Sequence, residues 1–237
     1  MTTVRKCAVQ CALCKKESSH RLLTSCSTFG YPDLDFRPAP MSRNTMEYWT
    51  QECPNCGYVN GHLEHPCALS RETLSDIYKE VESAFDWRQL PANDWPIIAI
   101  RFAKLGAMHV KLNDYISAAE QFLRVAWKFD DYKNEQAASA AVFWRKKAIE
   151  CAEFEINKHS PDTEELVCIY ADMLRRVGHF ESVLKLDESQ LSDDIYIQLI
   201  KYQKKLSLLE DSAPHKIDEC GYISAANTEK ITDPLFL

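Results

Sequence analysis

Residues 11–14 read Cys11-Ala12-Leu13-Cys14, and residues 53–57 read Cys53-Pro54-Asn55-Cys56-Gly57. Two Cys-x-x-Cys knuckles supply four thiolates, the ligand set of a closed tetrahedral zinc site. The two-residue gap turns the chain tightly enough to bring both sulfurs of a knuckle onto one ion at about 2.3 Å. Gly57 follows the second knuckle directly and permits a positive φ where the backbone folds back beneath the metal. The spacing therefore predicts Cys11, Cys14, Cys53 and Cys56 as the ligands of one structural zinc ion. Four thiolates leave no open coordination position, so the site is read as an element of folding and not as a catalytic metal. A redox role would call for a single such motif at a helix N-terminus after a strand. Two motifs flanking a proline-rich insert point away from that role.

The 237-residue chain holds ten cysteines, seven of them within the first 67 residues. A secreted disulfide framework is the competing explanation for such crowding. Here the stretch before the first knuckle, Met1-Thr-Thr-Val-Arg-Lys-Cys7, has no apolar signal core, and Cys151 and Cys168 fall inside helical patterns. Reduced thiols in a cytoplasmic protein are expected. No run approaches the roughly 18 apolar residues of a membrane span. The formal charge is −7, and residues 1–70 carry seven Lys/Arg against six Asp/Glu, so the acidic excess lies in the remainder. Neither part has the basic surface that non-specific nucleic-acid binding needs, which argues against RNA or DNA as the partner. There is no Gly-rich phosphate loop, no Gly-x-Ser-x-Gly and no His-Glu-x-x-His, so no catalytic residue is assigned.

The chain changes character near residue 70. Before it, Pro, Gly, Cys and aromatic residues dominate, with short strand-like pieces at 21–26 and 48–51. The insert from Thr28 to Pro40, TFGYPDLDFRPAP, is read as a structured loop, since proline removes donors and fixes φ. It accounts for the 38 residues between the knuckles, more than a compact double-knuckle site holds. After residue 70 the helical period takes over. Leu74, Ile77, Tyr78, Val81 and Phe85 share one face of a helix that Ser70 can cap. A loop at 89–94 leads to Asp94, a cap ahead of Trp95-Pro96. Further helices are expected at 95–111, 115–129, 134–158, 161–177 (restarting at Ser160-Pro161), 179–187 and 193–209. The remaining residues carry little periodicity and are read as loosely attached. The expected fold is α+β and mainly α: a zinc-ribbon-like head over 1–68, a tetratricopeptide-like helical domain over 69–210, and an irregular tail over 211–237.

The tetratricopeptide reading rests on a 34-residue frame begun at Ala99. Leu105-Gly106 takes the Leu-Gly place of a first helix, and Tyr115, Ala118 and Phe122 take the large, small and large places of a second. Small residues suit places where helices cross closely, and aromatics fill the gap elsewhere. A weaker match places Ala171 at a close crossing, followed by Leu174, Gly178-His179-Phe180 and Val183. An irregular array of about two repeats is expected, with an ordinary helical bundle as the alternative. Positions that clamp a carboxylate in such domains hold Ile100, Ala103 and Ala107, so a partner would meet an apolar face.

From Cys11 to Val59, and most of all in STFGYPDLDFRP, MEYW and QECPNCGYV, the chain resembles a family of uncharacterised bacterial proteins. The resemblance extends to about residue 190. It implies a zinc-ribbon-like head followed by a tetratricopeptide-like tail, and it supplies a fold and a metal but no reaction. Carried over by position, the four knuckle cysteines match and no other residue takes a role.

Other chemistry-bearing groups have plainer readings. Cys7, Cys26, His62, His65 and Cys67 offer ligands for a second metal, with a spacing poor for a preformed site. His20, His62 or His65 could also stand in for a displaced thiolate. Asp33, Asp35 and Arg37, with Arg43 and Glu47 nearby, are either an acid–base or recognition loop, the basis of a hydrolase or transferase alternative, or a loop tied down by its own Asp–Arg hydrogen bonds. Phe102, Tyr115, Phe122, Trp127, Phe129, Phe143 and Trp144 are expected in the helical core, and Arg145-Lys146-Lys147 on a solvated helix face. The function expected from these parts is non-enzymatic protein–protein interaction, with a nucleic-acid-binding ribbon as the alternative.

Overall fold

The computed structural model describes residues 2–85, 87, 95–157 and 164–221. Among them are eight α-helices and two small antiparallel sheets of two strands each. The chain is therefore mainly α with a little β, as the sequence indicates. By its internal contacts it forms two compact units, one of Met1–Ser27 with Asn44–Cys151 and one of Thr28–Arg43 with Ala152–Leu237. The segments 1–68, 69–210 and 211–237 divide sequence character; the units divide contact. No helix among the described residues is long and apolar enough to cross a membrane.

The first unit begins with a hairpin of β1 (Thr3–Gln10) and β2 (Glu17–Ser25), paired from Gln10 opposite Glu17 out to Thr3 opposite Ser25. Its turn is the first knuckle. A second, minimal hairpin of β3 (Gln51–Glu52) and β4 (Val59–Asn60) closes around the second knuckle. The piece expected as a strand at 48–51 begins on the last residue of a 3-10 turn, Met46–Tyr48, bends at Trp49, and only Gln51 enters β3. There the Trp49 indole N–H donates to Thr45 Oγ1 at 3.1 Å, and Tyr48 N–H to the Thr45 carbonyl, which curls the backbone. Strand β1 is not among the strand-like pieces that the sequence marks. Five of its eight residues are exposed, Val4 and Cys7 are half-buried and only Val9 is buried, so no inward-outward alternation marks it.

Four helices complete this unit: α2 (Arg71–Ala84), α3 (Trp95–Lys111), α4 (Tyr115–Asp130) and most of α5 (Glu135–Ile156). Ser70 Oγ accepts from Thr73 N–H at 3.2 Å and caps α2, whose buried face is Leu74, Ile77, Tyr78 and Val81. Asp114 and Asn134 cap α4 and α5 by the same device. The expected cap Asp94 and the restart at Ser160-Pro161 lie outside the described residues. Phe85, expected on α2's face, is instead its extended C-cap, and its ring meets Trp87 and Phe129 at 5.1 and 5.5 Å. Phe102, Phe122, Trp127, Phe129 and Trp144 are buried in the core as expected, while Tyr115 and Phe143 are half-buried.

Gly106 shows why the α3–α4 hairpin needs a glycine. A Cβ built there would lie 2.7 Å from Cε1 of the buried Phe122 ring, inside contact distance. Gly106→Ala should gain about 1 kcal/mol of helix propensity and lose roughly 1–3 kcal/mol to overpacking. The expected result is a net loss in urea unfolding, partly recovered by Gly106→Ala with Phe122→Leu.

Arg145 departs from the sequence reading. It was expected on a solvated face with Lys146 and Lys147, yet it is buried and makes a bidentate pair with Asp130 at the end of α4. Lys146 and Lys147 are exposed. The fork of a buried arginine suits the half-buried Asp130 carboxylate, and the two lysines keep their charge in water.

The second unit contains α1 (Pro40–Arg43), α6 (Glu164–Arg176), α7 (Phe180–Leu184) and α8 (Asp194–Leu208). Gly178, at φ +83°, ends α6 where the His179 N–H reaches back to the Leu174 carbonyl at 2.8 Å. Ala171, Leu174, Val183, Leu199 and Ile200 form its core. Segment 211–221 is not loose. Leu34 N–H donates to the His215 carbonyl and Ile217 N–H to the Pro32 carbonyl, at 2.8 and 3.1 Å, and Ile217 is fully buried. Isolated backbone pairing and one isoleucine leave no period to read, which is why 211–237 reads as loosely attached; residues 222–237 lie outside the described residues.

Candidate metal centre

The two knuckles are built alike. Cys11 N–H donates to the Lys16 carbonyl, and Lys15 N–H to the Cys11 carbonyl. In the second knuckle Cys53 N–H donates to the Tyr58 carbonyl, and Gly57 N–H to the Cys53 carbonyl. The residue after each second cysteine has positive φ, +61° at Lys15 and +74° at Gly57. Gly57 was legible in the sequence; Lys15 was not, because a lysine seldom takes the left-handed conformation. Aligning the knuckles residue by residue would have revealed it.

This repeated turn brings the four sulfurs together. Sγ of Cys11 lies 3.7 Å from Sγ of Cys56, and Sγ of Cys14 lies 3.7 Å from Sγ of Cys53. All four ligand atoms fall within 4.8 Å of one another. A disulfide requires about 2.05 Å, whereas a tetrahedral ion with bonds of about 2.3 Å has sulfur–sulfur edges of about 3.8 Å. The distances match the tetrahedron. Cys11 and Cys53 are 0% and 1% exposed, and Cys14 and Cys56 are half-buried. Burial pushes the Cys11 thiol up and, with the three neighbouring sulfurs, pushes Cys56 up to about 12. Burial opposes ionisation at Cys53 as well, but the N–H groups of Asn55 and Cys56 prevail and hold it down at about 7. Four adjacent thiolates are mutually repulsive without a cation, and a bound dication would remove that conflict.

The centre belongs to a core that extends well beyond the knuckles. Val9, Cys11, Cys53, Tyr58, Val59 and Leu63 pack with Leu74, Ile77 and Tyr78 of α2 and with Leu105 and Met108 of α3. Polar bonds follow the same route. Ala12 N–H donates to the Leu63 carbonyl at 2.8 Å, and Val59 N–H to the Tyr78 hydroxyl at 3.2 Å. Glu52, beside Cys53, meets Arg101 and Lys104 of α3 at 3.3 and 3.5 Å.

The remaining candidate ligands are placed elsewhere. Among the described residues the four cysteines are the one group of three or more His, Cys, Asp or Glu whose ligand atoms converge. His20 shares a hydrogen bond with Ser18 Oγ at 2.8 Å, and the exposed His62 and His65 rings lie 5.0 Å apart. The Cys67 thiol lies 3.6 Å from Met108 Sδ, Cys7 accepts from Arg5 Nε, and Cys26 is half-buried.

Asp33, Asp35 and Arg37 lie in the second unit and point inward, all three buried. Asp33 pairs with Arg43 at 2.6 Å, while Asp35 accepts from Arg37 N–H and pairs with Arg176 of α6 at 3.6 Å. The loop is thus tied down by its own Asp–Arg contacts, and its carboxylates are engaged. Burial and the neighbouring Asp35 push Asp33 up to about 6, against the pull of Arg43. A carboxyl raised on folding binds its proton more tightly folded than unfolded, so its stability contribution is present at low pH and lost as pH rises. Between pH about 4 and 6 this contribution should fall by roughly 1.4 kcal/mol per unit. Asp33→Asn should flatten stability measured across that window.

Fold and cluster together define a mainly α-helical protein with a candidate four-sulfur metal centre. Residues 4–212 match the model of a family described as an uncharacterized protein conserved in bacteria (DUF2225), and the chain belongs to that family. No curated protein and no solved structure matches it.

Proposed function

We propose that the chain is a non-enzymatic cytoplasmic scaffold for protein–protein interaction, in which one structural zinc ion on Cys11, Cys14, Cys53 and Cys56 fixes the head against a tetratricopeptide-like helical array. The observation that carries this reading is the core shared by the knuckles, α2 and α3. A metal placed there organises helices, and its saturated ligand set leaves no position for a substrate. The glycine crossing of α3 over α4 at Phe122 supports the repeat frame. Ala107, one of the inner-face positions in that frame, packs against the metal-side core, so the head acts as a cap on the array. Leu208 and Leu209 at the end of α8 are 71% and 68% exposed and offer apolar contact to a partner.

Affinity capture from native cytoplasm tests the reading. A specific protein should be recovered by the metal-loaded chain and lost with Leu208→Asp/Leu209→Asp, whose fold should be unchanged. Recovery of no protein, or capture indifferent to those substitutions and to metal removal, would contradict it.

A further inference from the structure

The β1–β2 ribbon carries charge opposite to that of the chain. Within 3–25, Arg5, Lys6, Lys15, Lys16 and Arg21 are all exposed, against the single acid Glu17, in a chain of net −7. Lys15 and Lys16 directly follow the first knuckle. Arg5, Lys6 and Arg21 lie along the strands, with no carboxylate paired to them among the described residues. Lys6 stands directly opposite Arg21. Like charges in facing positions destabilise a sheet, so the pair is held at a cost that an acidic ligand would relieve.

The ribbon also has unused backbone. It is a two-stranded sheet, and no third strand joins either edge among the described residues. Arg21 on β2 lies over the Tyr48 ring at 5.2 Å, so β1 is the freer edge. Charged side chains, lysine above all, blunt an edge against unwanted pairing; three exposed cations without a carboxylate partner among the described residues, two of them facing each other, go beyond that need.

We propose that the outer edge of β1 is a docking strip for an acidic, extended segment of a partner protein, which adds to the ribbon as a third strand. Main-chain bonds along β1 would supply affinity, and Arg5 and Lys6 would select acidic side chains. The strip has no exposed aromatic side chain on which bases could stack, so a polypeptide fits it better than a single-stranded nucleic acid. The proposal rests on the reading of the chain as an interaction module, but through a surface that reading does not use.

Fluorescence anisotropy on the full, metal-loaded chain tests it. The probe is a labelled peptide alternating glutamate and valine over the 8-residue length of β1. Saturable binding is expected at low salt, weakened about tenfold or more by Arg5→Glu/Lys6→Glu and by raising the ionic strength. N-methylating alternate residues on the peptide's pairing edge should abolish it, as a purely electrostatic contact would not require. Leu208→Asp/Leu209→Asp should leave it unchanged, which separates this strip from the helical surface. Metal content and circular dichroism of each variant establish that the fold is retained. No saturable binding, equal binding by the charge-reversed chain or by the N-methylated peptide, or tighter binding of an oligothymidylate of equal length would each overturn the proposal.

Discussion

A Cys53→Ser chain should lose its metal and, with it, the order of α2 and α3 as well as the two hairpins. A self-contained head would predict loss of the ribbon alone, with helical circular dichroism mostly intact. The shared core changes that expectation, because Leu74, Ile77 and Tyr78 of α2 and Leu105 and Met108 of α3 rest on the residues that the knuckles organise. Structural zinc sites supply apparent binding energies of about 10–16 kcal/mol, against a typical domain stability of roughly 5–15 kcal/mol. Removing one of four ligands therefore puts the whole first core at risk. The 14 residues of α2 and the 17 of α3 should leave the helical signal together, while α6 to α8, which have their own core, should remain. Retention of metal at one equivalent would refute the ligand assignment.

Arg175→Ala should be the most damaging substitution in the second unit. The guanidinium is fully buried and reaches Asp172 Oδ1 at 2.6 Å, Gln203 Oε1 at 2.7 Å, and the carbonyls of Asp211 and Ala213 at 2.6 and 2.8 Å. Truncation leaves the buried Asp172 carboxylate without this cation and the Asp211 and Ala213 carbonyls without their donor. Breaking a buried pair from one side costs about 3–5 kcal/mol. Because two of the four bonds go to the strap, segment 211–221 should also detach, exposing Ile217 and freeing Leu34. Unfolding in urea measures the first effect and hydrogen exchange across the strap the second. Arg175→Lys keeps the charge but not the fork and should fall between. A loss below about 0.5 kcal/mol, as at an ordinary surface site, would mean the network is not as drawn.

What the sequence made legible was whatever leaves a period or a fixed spacing. Two Cys-x-x-Cys pairs specify a tetrahedron of sulfurs, the faces of α2 to α5 repeat every turn, and Gly106 marks a crossing that Phe122 then fills. What stayed hidden depends on partners distant in the chain. Strand β1 forms because the knuckle turns it back onto β2, although only Val9 is buried along it. The insert from Thr28 and the segment near His215 pair through a few backbone bonds, to which neither contributes a pattern of its own. Arg145 reads as a surface charge until Asp130 is seen beside it, and nothing in the sequence singles out Arg175, whose partner is Asp172. That the head and two helices share one core could not be inferred from composition, since the change of character at residue 70 falls within that core.

Hydrogen exchange followed by mass spectrometry, on the chain before and after metal removal by a chelator, tests the central claim most directly. If the metal centre organises the helices, 3–25, 51–60, 71–84 and 95–111 should lose protection together and regain it when one equivalent of zinc is restored. Loss confined to the two hairpins, with α2 and α3 still protected, would contradict the account.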